Sequence, residues 1–460
     1  MEGIEDRVLM DILCRAVGPE RALVAFDALS LPPSVSIRYN PFKFRSDQKG
    51  LRGSTASLRP STPLRDRSAP PLASQSEVPV PPLTVPRVAW VALPKPFWSD
   101  EPSNRVPWCE YGMMLPERPR FVMDPLFHAG CYYVQDSSAM VVGHILREHL
   151  DRFEGLGRPV RVLDLCAAPG GKTTDIATSL RDRFGDSFQL VANEVMRNRA
   201  AILADNVAIW GDPNVIVTSC DPKAFSRLEG YFDIIVTDVP CSGEGMFRKD
   251  PKAVEDWSPE AVDLCAARQK RILSDVWPAL REDGLLIYST CTFEEAENDE
   301  NVEWVTAELG GEVVDYEYSK LPGVIPTRTG GLLVPGFVKG EGQFVAALRK
   351  TVSAGKSKLG PESLKPVRGG LELGVHKGKD FIPSADWALS INPPLDKYPS
   401  VELDLDTALK FLHRDGIFIE GQPEGYLIVC YEGHPLGFVK NIGRRWNNLH
   451  PITRRIRMDL

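Results

Sequence analysis

The sequence predicts an α/β protein whose largest part is a doubly wound parallel sheet, with smaller modules before and after it. Short β-rich runs recur at 160–165 (VRVLDL), 188–193 (FQLVAN), 214–219 (NVIVTS), 232–237 (FDIIVT) and 284–289 (GLLIYS). Between them, the stretches 172–183, 196–209 and 258–280 repeat apolar residues at helical spacing. Strands alternating with helices are joined by crossovers, which stack the strands in parallel with helices on both faces. Length requires the flanking modules, because 460 residues exceed one core at roughly 150 residues per domain.

The remaining segments follow in order. Residues 1–44 read as a helical element, a strand (SIRYNP) and a turn at Pro41, the start of a small N-terminal α/β extension. Between Pro60 and Pro86 stand eight prolines in 27 residues, interleaved with serine and arginine. Such a stretch buries too little to hold a core, so 45–95 reads as an extended or disordered Pro/Ser-rich linker. At 96–150 apolar and aromatic residues return, and WCEYGMML with DPLFHAGCYYVQDSS gives short strands and turns that feed a helix at 136–150. The sheet domain occupies 151–350. A Lys/Gly/Pro-rich stretch at 351–380 reads as a second linker, and 381–460 as a β-rich module with strands YLIVCYE and PLGFVKNI. Its end carries six Lys/Arg (440, 444, 445, 454, 455, 457) against the acid Asp459, a local balance of +5.

Composition narrows the function. An apolar share of 43% and a charged share of 25% are those of folded protein, which excludes collagen-like repeats and wholesale disorder. A formal charge of −8 gives no global basic footprint, so any nucleic-acid surface has to be local. No apolar run approaches the roughly 20 residues of a membrane span. The N-terminus, MEGIEDRVLMDILCRAVG, carries early acids and no leader-like apolar stretch. A cytoplasmic protein with no membrane partner is expected. The nine cysteines include no C-x-x-C pair, so neither a disulfide framework nor a metal site is expected.

In doubly wound sheets ligands sit at the carboxyl ends of the strands. The first run ends in Cys166-Ala167-Ala168-Pro169-Gly170-Gly171-Lys172. Glycines at a strand-to-helix turn let backbone N–H groups approach a ligand, and a helix N-terminus favours negative charge. A phosphate-binding P-loop needs glycine where Cys166 stands, and a dinucleotide fingerprint needs G-x-G-x-x-G, which is absent. The remaining class is a carboxylate and amine joined to an adenosine, and S-adenosyl-L-methionine fits. Glu194, after the second run, is placed to accept ribose hydroxyls, and Asp221, after the third, to accept the adenine amine. The fourth run ends in Asp238-Val-Pro-Cys241 and the fifth in Ser289-Thr-Cys291. Thiols at neighbouring strand tips, one beside an acid, suit methylation of pyrimidine C5. That carbon is a poor nucleophile until a thiolate adds to C6, and an acid such as Asp238 at N3 or O2 eases the addition. A second base must then remove the C5 proton.

The strings LCAAPGGKTT, ANE, DVPCSGEGMFRKDP and YSTCTFEEAENDENV resemble those of the Nol1/Nop2/Sun RNA cytosine-C5 methyltransferases, in the right order over about 100–350. VPWCEYG, DPLFHAGCYYVQDSS and PLGFVKNIGRRWNNLHPITRRIR further resemble the bacterial 16S rRNA methyltransferase F branch. The resemblance implies a Rossmann-like S-adenosylmethionine-dependent methyltransferase domain and a C-terminal PUA-like β-rich domain. It implies Cys291 as nucleophile, Cys241 as the thiol assisting product release, and Lys172 and Asp238 as residues positioning the base and relaying protons. Cofactor contacts would fall on Cys166 to Lys172, Glu194, Asp221 and Asp238, with Arg199 as a basic position after the acidic strand end. This chain departs from the pattern in having DVPC for DAPC and CDPKAF for DGxxF, where Pro222 restricts a backbone that glycine leaves free.

The chemistry needs access to both faces of a base, so the target cytosine lies in a loop or is flipped out. Phe247, Trp257 and Tyr133 are stacking candidates, Arg248-Lys249 a phosphate contact, and the basic tail with Asn447, Asn448 and His450 an RNA contact. The expected partner is RNA, in 16S rRNA or the small ribosomal subunit. Transfer RNA as substrate, or an RNA-binding assembly factor, are the competing readings.

Overall fold

A computed structural model describes residues 6–44 and 104–458. The stretch read as a Pro/Ser-rich linker, 45–95, lies outside the described residues. Helices Asp6–Val17 and Pro19–Leu29 open the chain. Leu9, Ile12 and Leu13, spaced to form one stripe, are buried in the core on one face of the main sheet. Strand β1 (Val35–Tyr39) lies between β2 (Gly112–Leu115) and β3 (Tyr132–Val134), antiparallel to both.

Strands β4 (Val160–Asp164), β5 (Phe188–Asn193), β6 (Val215–Thr218), β7 (Phe232–Asp238) and β8 (Leu280–Thr290) form the parallel sheet in the order β6-β5-β4-β7-β8. Val162, Leu163, Ile234, Ile235, Leu286 and Ile287 are all fully buried. These continuous apolar runs are what a sheet covered on both faces requires. Helices Gly171–Phe184, Arg197–Trp210 and Pro259–Val276 make the crossovers.

The sequence predicts a parallel sheet, and the structure adds an antiparallel extension to it. Strands β9 (Gly311–Val313), β10 (Ile325–Pro326), β11 (Gly331–Leu333) and β12 (Gln343–Lys350) follow, and β12 runs antiparallel to β8, extending the sheet through β11 to β10. The extension covers what would be an open edge beside β8. It also brings Gln343 to the tip of β8, where its side chain donates to Thr290 O at 2.7 Å.

Within the segment 351–380, read as a linker from composition, Val367 and Arg368 pair with the opposite edge of the sheet. Val367 and Arg368 N–H both donate to Val217 O on β6, and Val217 N–H donates back to Arg368 O. Backbone alone supplies this pairing, so the composition carried no sign of it. Beyond it lie the hairpin β13 (Gly374–Lys377) and β14 (Asp380–Pro383) and a four-stranded sheet, β15 (Ser400–Glu402), β16 (Gly425–Tyr431), β17 (His434–Asn441) and β18 (Trp446–Asn448), with helix Leu405–His413. No helix among the described residues is long and apolar enough to cross a membrane.

Buried cations join the modules. Arg38 of β1 is fully buried; it donates to Gln135 Oε1 at 2.8 Å and to Gly171 O at 3.2 Å, at the start of helix Gly171–Phe184. Gly130 has φ +71° and stands where a Cβ would lie 2.0 Å from Ile209 O, so only glycine lets the helix Arg197–Trp210 approach this turn. Arg454, assigned to the RNA-facing tail on sequence grounds, instead points inward. It bonds Asp386 at 2.6 Å and Asp205 on that same helix at 2.8 Å, and Arg368 bonds the other oxygen of Asp386. His450 is also buried, and Asn448 donates to Phe411 O at 2.8 Å.

Removing one member of a buried ion pair leaves the other charge uncompensated. Asp386→Ala, which leaves Arg368 and Arg454 without their shared carboxylate, is expected to cost about 3 kcal/mol in urea unfolding; a cost under about 1 kcal/mol would show the cluster to be no more than a surface contact.

Candidate active site

The strand tips carry the site. After β4 the chain turns through the loop that begins at Leu165; Ala167 N–H donates to Asn193 O at 2.8 Å, tying this loop to β5. Gly170 takes φ +113° immediately before helix Gly171–Phe184, a conformation that side chains resist. The first N–H groups of that helix have no partner within it and remain available to a ligand. The loop is braced from outside, since Arg199 donates to Ala168 O at 2.9 Å and Asn206 to Pro169 O at 2.7 Å.

Glu194 is buried, accepts from Met196 N–H at 3.0 Å and lies 3.4 Å from Arg199. Arg199 thus bridges the loop and the acid at the next strand tip. Asp164, at the end of β4, is fully buried; one oxygen accepts from Thr173 at 2.6 Å and the other has no hydrogen-bond partner. Burial pushes its carboxyl up to about 7. An unpartnered buried acceptor beside a glycine turn suits a ligand bearing an ammonium group, so these residues fit S-adenosylmethionine. Asp221 stands further out: its side chain is half exposed, caps Lys223 N–H at 3.0 Å and lies 3.5 Å from Arg271.

The pairing of β7 with β8 puts Asp238 opposite Ser289. One oxygen of Asp238 accepts from Ser289 at 2.8 Å and Gln343 at 3.3 Å, and the other from Lys172 at 2.8 Å. Burial alone would lower the Lys172 pKa, but Asp238 outweighs it and the net shift is upward, so the lysine stays charged. Beyond these tips Cys241 and Cys291 meet with sulfurs 3.2 Å apart, and Cys291 N–H donates to Cys241 Sγ at 3.3 Å. The contact with Cys291, together with burial, holds the Cys241 pKa well above the usual thiol range, so Cys241 is a neutral thiol. Burial pushes Cys166 up to about 12, which leaves it inert as a nucleophile.

Behind Cys241 lies a group that sequence reasoning missed. Glu244 and Glu297 are both fully buried, and both lie within hydrogen-bond reach of Ser242 Oγ. Gln269 donates to Glu297 at 2.6 Å and to Pro240 O at 2.9 Å. Glu297 stands in an acidic string and Glu244 between two glycines, and no local signal marked either as buried. Ser289 and Asp164 did carry a signal, since both end β runs. Gln343 carried none, because its strand was not anticipated.

The expected RNA contacts divide. Phe247 is core, 2% exposed, and Trp257 Nε1 donates to Glu244, so neither ring is free as placed. Tyr133 lies against the glycine turn, its hydroxyl donating to Pro169 O at 3.2 Å. Arg248 is buried against Glu341 at 2.6 Å and donates to Gly340 O at 2.9 Å. It pins the loop after Cys241 and is not available to phosphate. Lys249 lies 3.9 Å from Asp136.

Glu297 gives a pH signature. Burial raises its carboxyl from 4.5 to about 7. The folded state therefore holds a proton that the unfolded chain releases, and stability falls as pH climbs from 4.5 to about 7. Glu297→Gln is expected to remove a loss of about 3 kcal/mol over that window. The same slope in variant and wild type, measured by denaturant unfolding across pH, would contradict the assignment.

Comparison with known proteins agrees with this geometry. The family described as 16S rRNA methyltransferase RsmB/F matches residues 158–349, and the Methyltransferase RsmF PUA domain matches 398–456. Ribosomal RNA small subunit methyltransferase F of Serratia proteamaculans (strain 568) is 30% identical over 419 residues, covering 77% of this chain and 84% of that protein. The protein of the same name from Pectobacterium atrosepticum is 36% identical over 278 residues, covering 58% of this chain and 54% of its own length. Among solved structures, a methyltransferase homolog protein from Pyrococcus horikoshii superposes with a TM-score of 0.51 at 23% identity, covering 74% of this chain and 93% of that one, which shows the shared fold. The β4–β12 sheet, but for its last residue, and the β15–β18 sheet fall inside the two matched stretches, and the chain belongs to the RsmB/F methyltransferase family, with a Rossmann-like catalytic fold and a PUA-like C-terminal domain.

Proposed function

We propose that this protein makes 5-methylcytosine in 16S ribosomal RNA in the cytoplasm, through a covalent bond between Cys291 and C6 of the target cytosine. The observation that carries the reading is the contact of the two thiols at 3.2 Å beside an Asp238–Lys172 pair at 2.8 Å. S-adenosylmethionine supplies the electrophilic methyl group. Cys166 to Lys172, Glu194, Arg199, Asp221 and Asp238 are the residues assigned to hold it, and Asp164 joins them on its unpartnered oxygen. Arg199 acts through the loop and Glu194.

Cys291 adds to C6, and the electron pair displaced toward the ring makes C5 a nucleophile. Asp238, oriented by Ser289, Gln343 and Lys172, serves the N3/O2 edge, where a proton or hydrogen bond lowers the cost of that addition. Once the methyl group is on C5, a base, which a water reaching the site can supply, takes the C5 proton, the C–H electron pair re-forms the C5=C6 double bond, and Cys291 leaves C6 as a thiolate. The neutral Cys241 thiol, its sulfur beside that of Cys291, is in place to donate to this departing sulfur.

The ribosomal substrate is supported by the names of the relatives and by the C-terminal domain match. Of the basic tail, Arg444, Arg445, Arg455 and Arg457 are exposed and fit phosphate contact.

With RNA substrate and S-adenosylmethionine, Cys241→Ala is expected to accumulate a protein–RNA adduct on denaturing gels, and Cys291→Ala to form none. The reverse pattern would exchange the two roles. Bisulfite sequencing of ribosomal and transfer RNA from cells lacking the gene is expected to show one ribosomal cytosine unprotected, and a change confined to transfer RNA would overturn the substrate. Replacing the four exposed arginines with alanine is expected to make the slope of log affinity against log salt shallower by about three; an unchanged slope would remove the tail from the RNA interface.

A further inference from the structure

The paired thiols have a chemistry besides methylation. Their sulfurs are 3.2 Å apart, and a disulfide bond is ~2.05 Å, so bonding needs a closure of only about 1.1 Å. The two cysteines stand at the tips of adjacent parallel strands, fixed by the Asp238–Ser289 register, and Cys291 N–H holds the Cys241 sulfur in place. Both residues are partly exposed, as are Cys14, Cys166 and Cys220, whereas Cys109, Cys131, Cys265 and Cys430 are buried. A small oxidant therefore reaches this pair, and the first sulfur it oxidises has a second thiol already in contact.

We propose that Cys241 and Cys291 form a peroxide-modified site in which the two thiols close to an intramolecular disulfide. The Cys291 thiolate attacks one oxygen of hydrogen peroxide; the O–O bond breaks, a sulfenic acid forms, and the departing hydroxide takes up a proton to become water. The Cys241 sulfur then attacks the sulfenic sulfur. The S–S bond forms, and the sulfenic hydroxyl leaves with the Cys241 proton as a second water. Two thiols lose two electrons and one peroxide is reduced. A second sulfur in contact outcompetes further oxidation of the first, so damage that would be irreversible at an isolated thiol stays reducible. The effect on methylation rests on the role proposed for Cys291, but the cross-link does not.

The test uses wild-type protein, a small excess of hydrogen peroxide, alkylation and non-reducing tryptic mass mapping. Cys241 lies in peptide 228–248 and Cys291 in peptide 282–320, each with no other cysteine. The expected product is these two peptides joined, with titratable thiols in denaturant falling from nine to seven and returning to nine with dithiothreitol. In Cys241→Ser the Cys291 peptide is expected to carry sulfinic or sulfonic acid that dithiothreitol does not reverse. Three outcomes overturn the proposal: Cys291 over-oxidised while Cys241 is alkylated in the wild type, Cys291 joined to another cysteine such as Cys166 or Cys220, or both thiols unmodified. Because the mapping needs neither RNA nor methyl donor, its failure would leave the adduct assay, run under reductant, to decide the methylation reading separately.

Discussion

The register between β7 and β8 is the constraint on which the site depends. Asp238 opposite Ser289 sets the two strand ends level, and each strand then turns through a cysteine. A shift of one residue would turn every side chain of one strand to the other face. It would separate the sulfurs and remove Ser289 from Asp238. Both faces of these strands are packed, with Ile234 to Val236 and Leu285 to Ile287 all fully buried, so such a shift would force each side chain into the packing of the opposite face, where its shape has no matching place.

Asp238 connects this register to the cofactor side. Its carboxylate faces Lys172, the second residue of the helix that follows the glycine turn, while its other oxygen is held by β8 and β12. The glycine turn and the ends of β8 and β12 therefore meet at one carboxylate. The flanking modules hold the same two helices from outside. Arg38 fixes the start of Gly171–Phe184, and Arg454 fixes Arg197–Trp210 beside Asn206, which itself braces the loop at Pro169 O. The C-terminal domain is docked on the helix that braces the glycine turn, so buried ion pairs fix its position relative to the thiols.

The five β runs of the catalytic sheet were legible because each buries a continuous apolar stretch, and the structure places them within a few residues, as at Val160–Asp164 for 160–165. The residues after each strand were legible because the fold class dictates where ligands go. What the sequence hid depends on long-range pairing. Arg248 and Arg454 read as free surface charge, yet their carboxylates, Glu341 and Asp386, lie 93 and 68 residues away. Glu244 and Glu297 went unassigned, because only the packing around Ser242 encloses them. Strand β12 and the backbone pairing at Arg368 escaped notice because an antiparallel return and an edge contact leave no periodic mark.

A crystal structure of the protein with S-adenosylhomocysteine and an RNA carrying 5-fluorocytidine at the methylated position would test the account most directly, because fluorine at C5 blocks the final elimination. The account predicts continuous density from Cys291 Sγ to C6, with Asp238 against the N3/O2 edge and the Cys241 sulfur alongside. A bond from Cys241 instead, or a pyrimidine seated away from Asp238, would contradict it.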